Sequence, residues 1–570
     1  MKIFQYDEMD QIGVVSGVDT ATITIVVGEE DKLRGLQVNH LLVIRSSKVG
    51  QHLIAIVTKI LRKSMFDVFS ANEDDENLVV ENIVKATLIG THLDSLGSKT
   101  NIFKRTLESV AEINADCFLL NGEYLTRFMN SISNQSSTST QSLSLGKYIL
   151  DENSKAWLDG NKFFQRHAVI VGSTGSGKSW SVATVLEQVA KLKSSNAIVF
   201  DIHGEYGSMV GDGFQHYKIA GPNEQVSNNI MFLPYWFLTY EEMISLLLDR
   251  SDNNAPNQAM LFSNAVLEGK KEKLIEEQKI DEYNTFTLDS PIPYDMNKVI
   301  EKLHNFDIEK VDGARSPKNG PYNGKLTHFV QRLKSKKEDK RLNFLFTEEE
   351  NCLKMDYLDN LLDKFVNCNT EKNYGVKIID FSEVPSDILP LIIGLVSRII
   401  FSVQQWTARQ LRHPIAFFCD EAHLYIPSTS TTSIDCSANR TFERIAKEGR
   451  KYGIGLVIIS QRPSEVNKTV MSQCNNFISL RLTNVEDQNV IKKLLPDSLG
   501  NFGEILPILD IGEALVVGDA SLLPSRIRIN IPKLKPTSAT IDFWDEWART
   551  DINTNVSLAI KSLRKQLKQN

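Results

Sequence analysis

Paired cysteines are missing from this chain. Its six thiols, Cys117, Cys352, Cys368, Cys419, Cys436 and Cys474, are scattered, and no two form a C-x-x-C pair. That argues against a disulfide framework or a zinc site and fits a reducing compartment. The N-terminus, MKIFQYDEMDQIG, lacks the apolar core of a signal peptide. The longest apolar run, around Leu389 to Val403, is interrupted by Arg398 and is too short to span a bilayer. These absences predict a cytoplasmic protein with no membrane partner. An excess of positive charge is missing as well. With 64 Lys and Arg against 71 Asp and Glu, the net charge is −7. This argues against a protein that coats nucleic acid, although a local basic channel is compatible with it. There is no internal repeat.

At 570 residues the chain is too long for one core, and 42% hydrophobic with 24% charged residues is ordinary globular composition. Residues 1–130 read as short strands, such as Thr22-Ile23-Thr24-Ile25 with its polar–apolar alternation, closing into a small barrel. A segment near Leu107 to Asn130 reads as a helix. Residues 131–160 are expected to be a linker, because Ser131 to Thr140 is Ser/Thr-rich and low in complexity. Residues 161–235 and 371–530 alternate strands with helices, as α/β folds do. Residues 236–370 read as a helical insertion in that core. Residues 531–570 form a C-terminal extension with a helix from Asp542 to Arg549, for which Thr540 is a cap candidate.

The chain is organised around Gly172-Ser173-Thr174-Gly175-Ser176-Gly177-Lys178-Ser179. The apolar run Ala168–Val171 precedes it and a helix-forming run follows, the context that the G-x-x-x-x-G-K-[ST] motif needs. Its glycines let backbone N–H groups turn toward phosphate oxygens at a helix N-terminus. Lys178 reaches the β- and γ-phosphates, and the Ser179 hydroxyl sits on Mg²⁺. A nucleoside triphosphate is the implied ligand.

Ile415–Cys419 is an apolar strand that ends in Asp420 and Glu421. Downstream of a P-loop, the first acid is placed to hold Mg²⁺ and the second to orient and deprotonate water. His423 has two readings, a nucleotide contact or a helix cap. Asp201 and Glu205 follow the strand Ala197–Phe200, either in a plain polar loop or as further groups at the nucleotide site. The cations of Arg444 to Lys451 either compensate a helix dipole or supply an arginine finger, with Arg450 the candidate. Gln461, at the tip of another buried strand, either senses the γ-phosphate or is a plain strand-end residue. Arg462 and Lys468 lie on loops and are the candidates for DNA contact. Arg332 to Arg341 is the densest basic stretch, and its mixed charge reads as a solvated helix face.

Together these motifs resemble the HerA/FtsK class of ATPases, and HerA-like proteins above all. The selective ones are Asp201-Ile202-His203-Gly204-Glu205-Tyr206 and Glu448-Gly449-Arg450-Lys451-Tyr452-Gly453, with Cys419-Asp420-Glu421-Ala422-His423 and Ser460-Gln461-Arg462-Pro463 beside them. The resemblance implies a RecA-like P-loop ATPase core, an N-terminal barrel of the HAS type, and ATP with Mg²⁺ as cofactors. It implies a homohexamer around double-stranded DNA and an effector enzyme, a nuclease or a sirtuin-like NADase, docked on the barrel side. It makes Arg450 a finger acting in trans and Arg166 a second trans contact. The expected activity is an ATP-driven DNA translocase or helicase, in DNA-end processing or antiphage defence. The alternative is a ring scaffold that activates its effector without translocating.

Overall fold

A computed structural model describes residues 3–66, 78–94, 101–107, 109–137, 142–312, 316–368, 374–495, 497–537, 543–550 and 556–565. The chain divides into two compact units. One comprises Met1–Gln188, Ser460–Ser464 and Met471–Lys533, and the other Val189–Ile459, Glu465–Val470 and Leu534–Asn570.

The first unit opens with a closed antiparallel barrel. Six strands run in the order Thr22–Val27, Gln11–Asp19, Asp116–Leu119, Leu41–Arg45, Gln51–Phe66 and Leu78–Leu93. The last pairs back onto the first, Thr22 opposite Thr87 and Val27 opposite Asn82. Ile23 and Ile25 face the core and Thr22 and Thr24 lean outward, because strand side chains alternate between faces. Bulges between Gln11 and Gly13, Val15 and Gly17, and Val57 and Lys59 add the local coiling that a small barrel requires. A short seventh strand, Ile102–Lys104, pairs with the end of Leu78–Leu93.

The expected mobile linker is not one. Residues 131–137 are the last turns of the helix Gly122–Ser137, and residues 138–141 lie outside the described residues. Phe128, Met129 and Ile132 are fully buried along one stripe of that helix. Gln135 accepts the Phe103 N–H at 3.0 Å and donates to the Phe103 carbonyl at 2.9 Å, much as a neighbouring strand would. Ser142–Tyr148 and Lys155–Asp159 then form an antiparallel pair. The helix read near Leu107 begins only at Gly122, since Asp116–Leu119 is a barrel strand.

These last two strands continue a series within the first unit: Ala168–Val171, Asn476–Ser479, Glu513–Gly518, Ser525–Ile529, Ser142–Tyr148 and Lys155–Asp159. The first pair is parallel and the rest antiparallel.

In the second unit the series is Ile230–Met231, Phe214–Ile219, Gly375–Asp380, Asn196–Asp201, Ile415–Cys419 and Ile454–Ser460, with every pair parallel. Asn196–Asp201 is buried along its whole length, as parallel strands covered on both faces are. The helix Leu389–Trp406 has the length and apolarity of a membrane span, but 67% of that window is buried within the protein. Its Arg398 guanidinium forks onto the Glu242 carboxylate at 2.7 and 2.8 Å, so it is a core helix.

Between Met231 and Gly375 lie the helices Tyr240–Leu247, Ala255–Glu276, Ile280–Thr285, Met296–Ile308, Thr327–Glu338 and Tyr357–Val366. The basic run is used internally there. Arg332 donates to the Leu247 carbonyl at 3.1 Å, Lys337 pairs with Glu348, and Arg341 forks onto Asp339. The C-terminal extension returns to the same unit, with Thr537 N–H on the Glu205 carbonyl and the Ser208 hydroxyl on the Lys535 carbonyl, both at 2.7 Å. The helix predicted there is Phe543–Trp547, and its cap candidate Thr540 lies outside the described residues.

Candidate functional site

In the first unit, the fully buried strand Ala168–Val171 delivers the chain into a tight loop, and the helix Lys178–Val189 leaves it. Gly175 and Gly177 have φ of +74° and +99°, values that side chains with a Cβ rarely adopt. A Cβ on Gly172 would lie 2.4 Å from the Ser176 hydroxyl and 2.9 Å from Leu480. The loop is held from outside. Ser173 N–H donates to the Arg481 carbonyl at 2.9 Å and Gly512 N–H to the Ser176 carbonyl at 3.0 Å. The Thr174 hydroxyl donates to Gln461 Oε1 at 2.7 Å. Lys178 is buried, and the Ser176 hydroxyl is buried with no hydrogen-bond partner. A buried lysine and an unsatisfied hydroxyl at one helix N-terminus are groups that a polyphosphate satisfies. The residues present therefore fit the implied nucleotide.

Sequence reasoning assigned Glu513 no role. This carboxylate is almost fully buried. It accepts the Arg526 Nε at 2.9 Å, the Arg528 Nη2 at 2.8 Å and the Asp510 N–H at 3.1 Å. It thereby knots the turn that carries Gly512, whose φ is +76°, against the phosphate loop. The signal available was an acid facing two arginines spaced i, i+2, but the pairing register that joins them is a tertiary fact.

In the second unit, the adjacent parallel strands Asn196–Asp201 and Ile415–Cys419 lead into acids at the same edge. Asp201, Asp420 and Glu421 are all buried. Asp201 accepts the Glu205 and Tyr206 N–H groups, both at 3.0 Å. Burial, aided by the Asp420 and Asp380 carboxylates, pushes it up to about 7 despite those hydrogen bonds. Glu421 sits at φ +45°, a left-handed conformation that costs a non-glycine residue of order 1 kcal/mol and clusters at working sites. His423 Nδ1 lies 3.4 Å from Glu421 Oε2. Among the described residues no three His, Cys, Asp or Glu are grouped to hold a metal ion alone.

Arg450 does not join the acids of its own unit. It lies in the turn Gly449–Tyr452, before the strand Ile454–Ser460. Ile454 pairs beside Ile415 and Ile458 beside Cys419. Arg450 is thus at the start of these strands, and Asp420–Glu421 are at their far end, roughly 13 Å along at ~3.3 Å per residue. It is exposed and has no ion-pair partner among the described residues. Its neighbours behave differently, with Arg444 against Glu448 and Lys447 against Glu443. Arg166 is taken up within its own unit by Asp519 at 3.3 Å. Arg462 and Lys468 are exposed.

A phosphate loop between strand and helix in one unit and a parallel α/β sheet in the other are the parts of a P-loop ATPase. Residues 143–400 match the family model described as "Helicase HerA, central domain". The chain is 26% identical over 419 residues to the probable DNA double-strand break repair helicase HerA of Methanocaldococcus jannaschii, covering 68% of this chain and 76% of that one. It is 26% identical over 419 residues to the DNA double-strand break repair helicase HerA of Saccharolobus solfataricus, covering 72% and 73%. Among solved structures, VirB4 of Thermoanaerobacter pseudethanolicus aligns with a TM-score of 0.45 at 16% identity, over 71% of this chain and 98% of that chain. The chain is thus similar to HerA-like ATPases, the resemblance that its motifs carry.

Proposed function

We propose that this chain is the subunit of a homohexameric ring that hydrolyses ATP to move along double-stranded DNA. In this reading the ring is cytoplasmic and serves DNA-end processing or antiphage defence. It works with an effector on its barrel side, a nuclease or an NAD-consuming enzyme. The observation that carries the reading is the glycine-shaped phosphate loop, with its buried Lys178, in a chain whose relatives bear the name DNA double-strand break repair helicase.

The residues take the following roles. Lys178 neutralises the phosphates, while Ser179 and Asp420 hold Mg²⁺, which when bound offsets charge on the phosphoryl oxygens. Glu421 accepts the proton of the attacking water, with His423 beside its carboxylate. Gln461 reads the γ-phosphate through its bond to Thr174. Arg450 serves the neighbouring subunit's site, supported by its place at the strand ends remote from its own acids. Arg462 and Lys468 contact the DNA backbone.

ATP hydrolysis measured with and without double-stranded DNA tests this. DNA should stimulate the wild type, and Glu421→Ala should abolish turnover while leaving ATP binding intact. An ATPase indifferent to DNA would sink the motor and leave the ring as a scaffold for its effector. Mixing Arg450→Ala with Lys178→Ala subunits should restore activity above either alone, and a mixture no better than its parts would place the finger in cis.

A further inference from the structure

One end of the barrel holds a cavity of about 510 Å³ between the N-terminal segment Phe4–Asp7 and the turn Arg45–Gln51, with His52, Asp94 and Phe118 in its wall. Strand register furnishes it. His52 stands opposite His92 across the pair Gln51–Phe66 and Leu78–Leu93, and Asp94 lies two residues beyond His92, a spacing that returns to the same face. His52 Nε2 is 3.2 Å from Asp94 Oδ2, and His92 Nε2 is 3.6 Å from Asp94 Oδ1. Aromatic rings line the space. Tyr6 stacks on Phe118 at 4.6 Å, and Phe4 meets His52 and His92 edge-on at 5.2 and 5.0 Å.

The polar atoms here are buried and unsatisfied. Asp94 Oδ1, Tyr6 Oη and both ring nitrogens of His92 have no hydrogen-bond partner, and the Asp94 side chain is only 2% exposed. His52 engages Oδ2 alone, and a buried carboxylate oxygen left without a donor is costly. His92 does not compensate it, because burial holds its pKa near 4 and keeps the ring neutral. Arg45 at the mouth bonds Asp116 instead, and Lys48 is exposed on the rim. A metal ion is a poor match, since the two imidazoles flank the carboxylate on different oxygens and the three do not group around one point.

We propose that this cavity binds an organic cation, an ammonium or guanidinium group. Asp94 Oδ1 holds it by charge, the Tyr6 hydroxyl by hydrogen bond, and the rings of Phe4, Tyr6 and Phe118 by cation–π attraction. Two sources carry that chemistry, a free polyamine and a Lys or Arg side chain of another protein. The site is separate from the nucleotide site and does not rest on the function proposed above.

Calorimetric titration of the full-length protein with spermidine and with N-acetylarginine methylamide tests the site and separates the sources. Saturable binding of either is expected, stronger for spermidine if the natural ligand is free and for the arginine amide if it is a side chain. Asp94→Asn should weaken that binding at least tenfold and Tyr6→Phe about threefold, the loss of one ring-side hydrogen bond. ATP binding by both variants should be unchanged, which checks that they fold. The proposal is overturned if neither probe saturates, if Asp94→Asn binds as the wild type does, or if zinc binds there through His52 and His92 and excludes both probes.

Discussion

Asp201 makes stability depend on pH in the direction opposite to an ordinary carboxylate. Its folded-state pKa is raised from 3.8 to about 7, with burial the chief cause. Between those values the folded chain binds a proton that the unfolded chain does not. The stability that this proton provides is complete below pH 3.8 and is lost as pH rises through 7. At about 1.4 kcal/mol per tenfold change in acidity, the full span is worth at most ~4 kcal/mol, and roughly 3 kcal/mol of it falls between pH 5 and 8. Asp201→Asn removes the titration. The amide keeps one accepting oxygen for the Glu205 and Tyr206 N–H groups, so one bond of about 1 kcal/mol is lost equally at every pH and drops out of the comparison. Urea unfolding of wild type and variant at pH 5, 6, 7 and 8 measures the difference. The variant should gain about 1 kcal/mol on the wild type per pH unit from 5 to 7, and little more by pH 8. Parallel curves across that range would refute the idea that Asp201 is buried among acids, whatever the absolute stabilities.

Three further perturbations follow from the packing. Gly172→Ala forces a Cβ to 2.4 Å from the Ser176 hydroxyl, an overpacking worth about 1–3 kcal/mol. ATP affinity should fall at least tenfold in calorimetry while circular dichroism is unchanged, and wild-type affinity would mean that the loop has room to spare. Glu513→Gln strips the charge from a carboxylate that two arginines share, costing about 2 kcal/mol. Its melting temperature should drop and its KM for ATP should rise several-fold, and a lower melting temperature with KM unmoved would show that the turn does not support the phosphate loop. Gln135→Ala removes both bonds to the Phe103 peptide, about 1–3 kcal/mol. Hydrogen exchange at the Phe103 amide should then accelerate markedly, and unchanged protection would assign that edge to other contacts.

The shape of the phosphate loop was the most legible part of the sequence, because its backbone requirements are local. Gly172 to Ser179 carry their own backbone requirements, and a strand such as Ile415–Cys419 announces burial on both faces through an unbroken apolar run. Residues 236–370 read as mainly helical between Pro/Gly/Asn-rich connections, and the helices from Tyr240–Leu247 to Tyr357–Val366 lie there. Residues 131–137 misled because composition and pattern disagreed. Ser, Asn and Gln suggest a linker, yet Phe128, Met129 and Ile132 already mark a helical stripe that runs into them. What stayed hidden depends on register between distant strands. Nothing in the spacing of Glu513, Arg526 and Arg528 reveals that they converge, or that His52 lies across from His92, some forty residues away in sequence.

The barrel's closure limits how anything can engage it. A sheet with a first and last strand offers a row of unused N–H and C=O groups, and a visiting chain can extend the ladder regardless of its sequence. Here Thr22–Val27 zips onto Asn82–Thr87 and uses that row up. The short flanking strand Ile102–Lys104 would be an exception, but the Gln135 carboxamide occupies both polar groups of its middle residue. Along the closed part of this wall a visitor must be recognised by side chains and pockets, which makes attachment there selective for sequence rather than open to any extended peptide.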